Sequence, residues 1–229
     1  MVMFIHQVFI PFEPENKQLA ELPVYAKQVE ITKATCSKFG YQYKLWGRAE
    51  CDDLIKTHFA DYYQLWLDFE IPVMRVDFVR YCIISKYGGV YVDCDVALRD
   101  QICNRQIRAT ESSFWFAKWA NDTKDLPYIA VMGGQADQVF WGLLLAECKK
   151  SYYEKLAQPI YKTWRGRFVF QTTGHYMVKR VLKNHVIGWK RALVDCLFVE
   201  HQKTKKITEF IGSEDSSFHD LNYSYWFKK

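Results

Sequence analysis

The sequence predicts an α/β protein built on a sheet open at one edge. Three observations point there. Short apolar runs of strand length alternate with longer segments of helical periodicity along the chain. No repeat, Gly/Ser stretch or Pro-rich linker divides the 229 residues, a length that one α/β domain commonly reaches, so the chain reads as one domain over 1–229 with a C-terminal closing tail at about 212–229. Hydrophobic residues make up 49% and aromatics 17%, which supports a large core and excludes disordered and low-complexity classes.

Met3 to Ile10 reads as the first strand. It lacks the basic segment and cleavage site of a signal peptide and is too short to span a bilayer. A loop containing Pro11 and Pro14 leads to a helix over Tyr25 to Phe39, closed by Gly40. Tyr41 to Trp46 reads as a short strand and Glu50 to Phe69 as two short helices, with Pro72 marking the next start. In the helix Val73 to Tyr87, Val76, Val79, Ile83 and Tyr87 form a stripe that faces a core, and Gly88-Gly89 ends it. Val90-Tyr91-Val92 is a strand running directly into Asp93-Cys94-Asp95. Strands near Ser113 to Lys118 and Tyr128 to Met132, helices near Asp137 to Lys150 and Thr173 to Lys183, and a strand at Leu193 to Glu200 complete the pattern.

The net charge of +5 is unevenly spread: residues 1–115 carry 13 Lys/Arg against 15 Asp/Glu, and residues 116–229 carry 18 against 11. Clusters such as Lys149-Lys150 and Lys203, Lys205, Lys206 read as solvated faces. With no Cys/His finger and no basic region running into heptads, no nucleic-acid partner is expected. Seven scattered cysteines without a Cys-x-x-Cys argue against a disulfide framework or a structural zinc site, and for a reducing compartment. No apolar stretch approaches the length of a membrane span, so the expectation is a soluble, cytoplasmic chain.

Asp93 and Asp95 carry the chemistry. Side chains two apart in an extended chain point the same way, so both carboxylates converge on one point. Two unpaired carboxylates at that distance repel, and a hard divalent cation, Mn²⁺ or Mg²⁺, removes the conflict while leaving positions for phosphate oxygens. Asp-x-Asp alone also marks ordinary polar turns. This pair, however, follows a strand at the carboxyl edge of an α/β sheet, where ligands tend to bind. Upstream, Asp77 and Arg80 sit at i and i+3, away from the Val76/Val79/Ile83 stripe. They read either as a surface ion pair or as one acceptor for sugar hydroxyls and one cation for phosphate. Gln135 and Asp137, beside Gly133-Gly134, read as near-site residues or as a turn in which Asp137 caps the next helix.

The run Arg75-Val-Asp-Phe-Val-Arg-Tyr followed by Ser85-Lys-Tyr-Gly-Gly-Val-Tyr-Val-Asp-Cys-Asp-Val resembles the sugar-binding Asp-x-Asp region of glycosyltransferases of family 32. That family includes capsular-polysaccharide transferases and the yeast-type initiating α-mannosyltransferase, and is related to the glucosylating domains of large clostridial toxins. Phe4-Ile-His-Gln-Val-Phe-Ile resembles its opening strand, with Phe9 in a tryptophan position. Thr172-Thr-Gly-His resembles a later Thr-Gly-Pro element, with His175 replacing Pro. His219-Asp-Leu-Asn-Tyr-Ser-Tyr-Trp resembles a C-terminal segment that closes over the donor.

The resemblance implies a GT-A fold, a nucleotide-binding αβα sandwich with a mixed central sheet, and a retaining, divalent-metal-dependent glycosyltransferase. The donor would be a nucleotide sugar, a UDP-sugar first, and the acceptor a glycan or glycoconjugate. Asp93, Asp95 and Arg80 become candidate catalytic residues. Asp93 and Asp95 would hold the metal and the donor's ribose or sugar, with His219 a further metal ligand; a solvated tail histidine is the bland alternative, and Asp220 and Asn222 compete for the role. Asp77, Arg80, Ser224 and Trp226 would contact the donor sugar and phosphates, and Phe9 and Trp46 would border the base. Rival readings are a GDP-mannose-dependent mannosyltransferase and a non-catalytic nucleotide-sugar or glycan-binding module, which only turnover separates from an enzyme. His6 reads as a satisfied first-strand residue and Cys94 as a spacer.

Overall fold

A strand buried on both faces must lie inside a sheet covered on both sides, and the first strand, β1 (Phe4–Val8), is buried at every position after Phe4. The computed structural model, which describes residues 3–11, 16–99, 113–119, 124–159, 165–196, 199–200 and 218–220, sets β1 between two parallel neighbours, β2 (Gln42–Trp46) and β3 (Gly89–Val92). After β3 the chain enters β4 (Val96–Leu98). The main sheet continues through β6 (Tyr128–Gly134), antiparallel to β3, then β5 (Phe114–Trp119), antiparallel to β6, and ends at β7 (Leu193–Cys196), parallel to β5. A second sheet joins β4 to β9 (Phe218–Asp220), which pairs in turn with β8 (Val199–Glu200).

Helix α1 (Pro23–Phe39) opens on a proline, whose missing N–H costs nothing in the first turn, and closes on Gly40 at φ 71°. The segment predicted as two short helices is α2 (Arg48–His58) and α3 (Tyr63–Asp68). Helix α4 (Pro72–Tyr87) is followed by α5 (Val139–Leu156), α6 (Arg165–Thr172) and α7 (His175–His185). One core cluster gathers apolar side chains of α2 to α7, including Trp66, Phe78, Trp141 and Tyr152; the other packs Cys36 of α1 with Ile5, Val90, Val92, Leu98 and Trp115. The sheet therefore lies between two layers. None of the helices among the described residues is long and apolar enough to cross a membrane.

Three expectations change. Helix α4 is buried almost all round, over Met74 and Val76–Ile84, not along one stripe, and Tyr87 at its end is 44% exposed. The segment Leu193 to Glu200 is two strands, β7 and β8, that belong to different sheets. Asp137 does not cap α5: Gln138 is the N-cap, and Asp137 sits in the turn at φ 57°.

The reversal from α4 into β3 depends on Gly88 and Gly89, at φ 65° and 93°, a region open to glycine and costly for other residues. A Cβ on Gly89 would lie 2.5 Å from the Phe4 carbonyl oxygen of β1. Gly89→Ala is therefore expected to lower stability by about 1–3 kcal/mol from backbone strain alone. Urea unfolding checks this; an unchanged midpoint would show that the turn has another conformation to adopt.

Candidate active site

Because β1, β2 and β3 run parallel, the residues that leave them emerge at one edge of the sheet: Phe9, Gly47 and Asp93. Open α/β sheets bind ligands at this carboxyl edge. Helix α4 precedes β3 and packs against it, which brings Asp77 and Arg80 beneath the strand.

Asp77 and Arg80 do not form a surface pair. They are 4% and 2% exposed, with Arg80 Nη2 2.9 Å from Asp77 Oδ1. Arg80 Nη2 is also 3.2 Å from Asp93 Oδ1, and Nη1 donates to Asp93 Oδ2 at 3.4 Å and to the Ile129 carbonyl at 2.9 Å. Nε donates to the Val76 carbonyl at 3.2 Å, and the guanidinium lies 4.8 Å from the centre of the Tyr91 ring. All three guanidinium nitrogens thus bond to the protein. The expectation that Arg80 reaches a donor phosphate gives way to a different assignment, a buried cation that holds Asp93.

Asp77 is likewise satisfied within the fold. Its second oxygen accepts a hydrogen bond from the Thr173 hydroxyl at 2.9 Å, and the Thr173 carbonyl accepts one from Tyr81 at 2.7 Å. The Thr-Thr-Gly-His element at the start of α7 therefore docks onto the underside of the site. Burial pushes the Asp77 carboxyl up to about 6, against the pull of Arg80 and Thr173. Bonded on both oxygens and buried, Asp77 supports the site from below, where a sugar hydroxyl was expected to meet it.

Asp93 is more open, with 24% of its side chain exposed. The Tyr91 hydroxyl donates to its Oδ1 at 2.6 Å. Burial raises its pKa, and Arg80 and the Tyr91 hydroxyl oppose the rise. Asp95 is half-buried one turn position on. Between them Cys94 is buried, with its thiol on the Val8 carbonyl at 3.2 Å, so it is an anchor as well as a spacer. Carboxylate oxygens at a turn, one partly open and one beside it, are the hard donors that suit Mg²⁺ or Mn²⁺.

The aromatic residues separate. Phe9 is half-buried at the edge, its N–H on the Trp46 carbonyl at 2.9 Å. Trp46 is 3% exposed: its indole N–H donates to His6 Nδ1 at 3.3 Å, Lys44 Nζ lies 3.8 Å from its ring centre and Tyr87 packs 5.4 Å away. Trp46 is packed into the floor and offers no open face to a base. His6 bonds the Gly88 carbonyl at 3.1 Å through Nε2, and burial lowers its pKa to about 4, so it is a neutral, satisfied residue of the strand.

Gln135 and Asp137 lie elsewhere. Antiparallel pairing sets Gly134 beside Gly89, while Val131 pairs with Val92 and the Asp93 N–H bonds the Ala130 carbonyl. The two residues follow β6 at the opposite edge of the sheet, beyond Gly134, which itself lies roughly 13 Å along the strand from Asp93. The tail reaches the site edge through β9, whose His219 pairs with Ala97 and Asp220 with Val96, next to Asp95. Ser224 and Trp226 lie outside the described residues.

Sequence reasoning missed Gln7, Tyr43, Tyr91 and Thr173. Gln7 carried a signal, a polar amide inside an apolar strand that had to find buried partners. Tyr91 and Thr173 stood inside motifs that carry the family resemblance but were given no role, and Tyr43 carried no signal, because an aromatic side chain in a strand is ordinary.

Residues 27–115 match the family described as a glycosyltransferase sugar-binding region containing the DXD motif. This part of the chain is similar to a glycosyltransferase sugar-binding region. A mannosyl phosphorylinositol ceramide synthase of Saccharomyces cerevisiae is 38% identical over 55 residues, 24% of this chain and 15% of that protein. The chain thus spans a small part of that relative's length. Among solved structures, the PaToxG glycosyltransferase is similar with a TM-score of 0.54 at 11% identity, over 81% of this chain and 70% of that one. A glycosyltransferase involved in glycosylation of the major capsid of PBCV-1 is similar with a TM-score of 0.52 at 13% identity, over 99% of this chain and 96% of that one. The fold is GT-A, with the mixed sheet that the sugar-binding region implied.

Two outcomes follow from the buried network. Arg80→Ala leaves two carboxylates without their cation and is expected to destabilise the protein by about 3–5 kcal/mol, the usual scale for breaking a buried pair; an unfolding midpoint near wild type would refute the assignment. The second concerns pH. The native state holds the Asp77 proton up to about 6 and the unfolded chain only to about 3.8, so the folded form binds more protons between these values and loses stability as pH rises through them. Relative to Asp77→Asn, wild-type stability is expected to fall between about pH 4 and pH 6 and to stay level above. A pH-independent difference in chemical denaturation would sink this reading.

Proposed function

We propose that this protein is a retaining glycosyltransferase that moves a sugar from a nucleotide-sugar donor to a glycan or glycoconjugate acceptor, with a divalent cation at Asp95 and Asp93. The observation that carries the reading is the Asp93–Arg80–Asp77 network beneath the Asp-x-Asp turn, at the carboxyl edge of parallel strands, within the region matched to the sugar-binding family. Mn²⁺ or Mg²⁺, when bound, neutralises the charge that develops on the departing diphosphate. His219 is the proposed third ligand, supported by the pairing of its strand with β4 directly after Asp95.

The chain's own groups prepare that site. Arg80 and the Tyr91 hydroxyl favour the ionised form of Asp93 in a setting whose burial disfavours it. Arg80 holds both oxygens of Asp93 and Tyr91 holds Oδ1, while the side chain stays partly exposed. Phe9 borders the base, and Ser224 and Trp226 of the tail supply donors to the diphosphate. The anomeric carbon reacts through an oxocarbenium-like state, as in other glycosyl transfers.

A UDP-sugar is the first donor to try. The name of the yeast relative, which concerns a mannosyl group, favours a second reading in which the donor is GDP-mannose. Incubation with UDP-, GDP- and dTDP-sugars and Mn²⁺, following release of nucleoside diphosphate, separates them. Asp95→Asn is expected to lower turnover by at least about 100-fold, a typical loss for a group that stabilises developing charge, with an unchanged unfolding midpoint. Turnover that survives EDTA removes the cation from the reading. Donor binding without turnover, on any acceptor or water, identifies a binding module instead.

A further inference from the structure

We propose that Gln7 is a positioning residue for the Asp-x-Asp turn, and that the Tyr43 hydroxyl sets the orientation of its amide. The proposal rests on the reading of that turn as the cation and donor site.

Gln7 is fully buried in β1, where its amide has two N–H donors and an acceptor to satisfy. Nε2 donates to the Asp93 carbonyl at 3.1 Å and to the Val96 carbonyl at 3.3 Å, so both donors are spent on the two ends of the turn. Oε1 accepts the Tyr43 hydroxyl at 2.9 Å. One flip of the amide satisfies all three contacts. Reversed, it would set its oxygen against two carbonyls and its N–H groups against a hydroxyl. Burial pushes the Tyr43 hydroxyl far up from its ordinary pKa, so it remains a donor.

Further bonds hold the backbone of the turn. The Val96 N–H closes it onto the Asp93 carbonyl at 3.0 Å, and the Asp93 N–H bonds Ala130 of β6 at 2.8 Å. The Cys94 thiol bonds the Val8 carbonyl. Consecutive residues of β1, Gln7 and Val8, therefore hold Asp93, Cys94 and Val96 from one flank, and β6 holds Asp93 from the other. The direction in which the Asp95 carboxylate leaves the backbone depends on this clamp, as does the separation of Asp93 from Asp95. Loss of Gln7 leaves the Val96 carbonyl buried without that donor and frees the turn to relax.

The test uses Gln7→Met, which keeps the volume and removes the amide, and Tyr43→Phe, which removes only the hydroxyl. Three quantities are read: the unfolding midpoint, affinity for Mn²⁺ alone by electron paramagnetic resonance titration, and kcat and KM for the donor that wild type turns over. Groups that orient metal ligands without touching the metal typically change affinity or activity by about 10–100-fold. That range is expected for Gln7→Met in Mn²⁺ affinity and kcat, with donor KM moving less. Tyr43→Phe is expected to shift both in the same direction by a smaller factor, with cooperative unfolding retained. Wild-type Mn²⁺ affinity and kcat in folded Gln7→Met overturn the proposal; if that variant does not fold, the same result in Tyr43→Phe does so. Wild type that neither binds Mn²⁺ nor turns over any donor overturns the glycosyltransferase reading itself, and this proposal with it. The two failures are thus distinguishable.

Discussion

One buried guanidinium organises the site end of the molecule. Transferring a charge from water to a protein interior costs several kcal/mol after relaxation unless the charge is paired and its N–H groups are bonded. Arg80 meets both conditions by drawing on separate parts of the chain: Asp77 and the Val76 carbonyl from its own helix, Asp93 from the turn after β3, and the Ile129 carbonyl from β6. Each supplier is constrained by serving it. Helix α4 must be covered on nearly all sides to keep the pair dry, and the Gly88-Gly89 reversal must return β3 over the helix at close range. Helix α7 must start where Thr173 reaches the second oxygen of Asp77.

The same constraint explains why the turn is gripped from both flanks. A carboxylate tied to a buried cation is fixed at its head, but two carboxylates that serve one ligand also need a fixed backbone between them. The β1 strand provides that through Gln7 and Val8, and β6 through the Ala130 carbonyl. Strand order places β1 and β6 on either side of β3's neighbourhood, so the sheet topology is what makes the grip available. In this molecule the site edge and the hydrophobic sheet are one construction: Ile5 and Val90 pack in the core while the residues that follow on the same strands shape the turn.

Much of this was legible from residue order. Pro72 and Gly88 bracket α4 because proline and glycine act on the backbone locally, wherever the helix ends up. Asp93-Cys94-Asp95 after Val90-Tyr91-Val92 is likewise a local signal. Burial of Asp77 and Arg80 was not legible, since i and i+3 spacing is the same on a surface and beneath a strand. The placement of Gln135 failed for a related reason: a glycine pair announces close approach of backbones, and the structure shows that the partners are the Gly89 carbonyl and Ser113, at the far edge. Three-residue strands such as β4 and β9 are too short for periodicity to reveal, so the pairing that brings His219 alongside Ala97 had no local signature.

Charge bookkeeping ties the network to the proposed cation. Asp77 and Asp93 share the Arg80 guanidinium, so full ionisation of the three leaves a net charge of −1 at a site where Asp77 and Arg80 are buried. Burial raises the pKa values of Asp77 and Asp93 despite the cation between them. A cation bound beside Asp93 would favour its ionised form in the same sense as Arg80 does. The guanidinium fixes a permanent positive charge below the turn, while Asp93, which it holds, stays partly exposed.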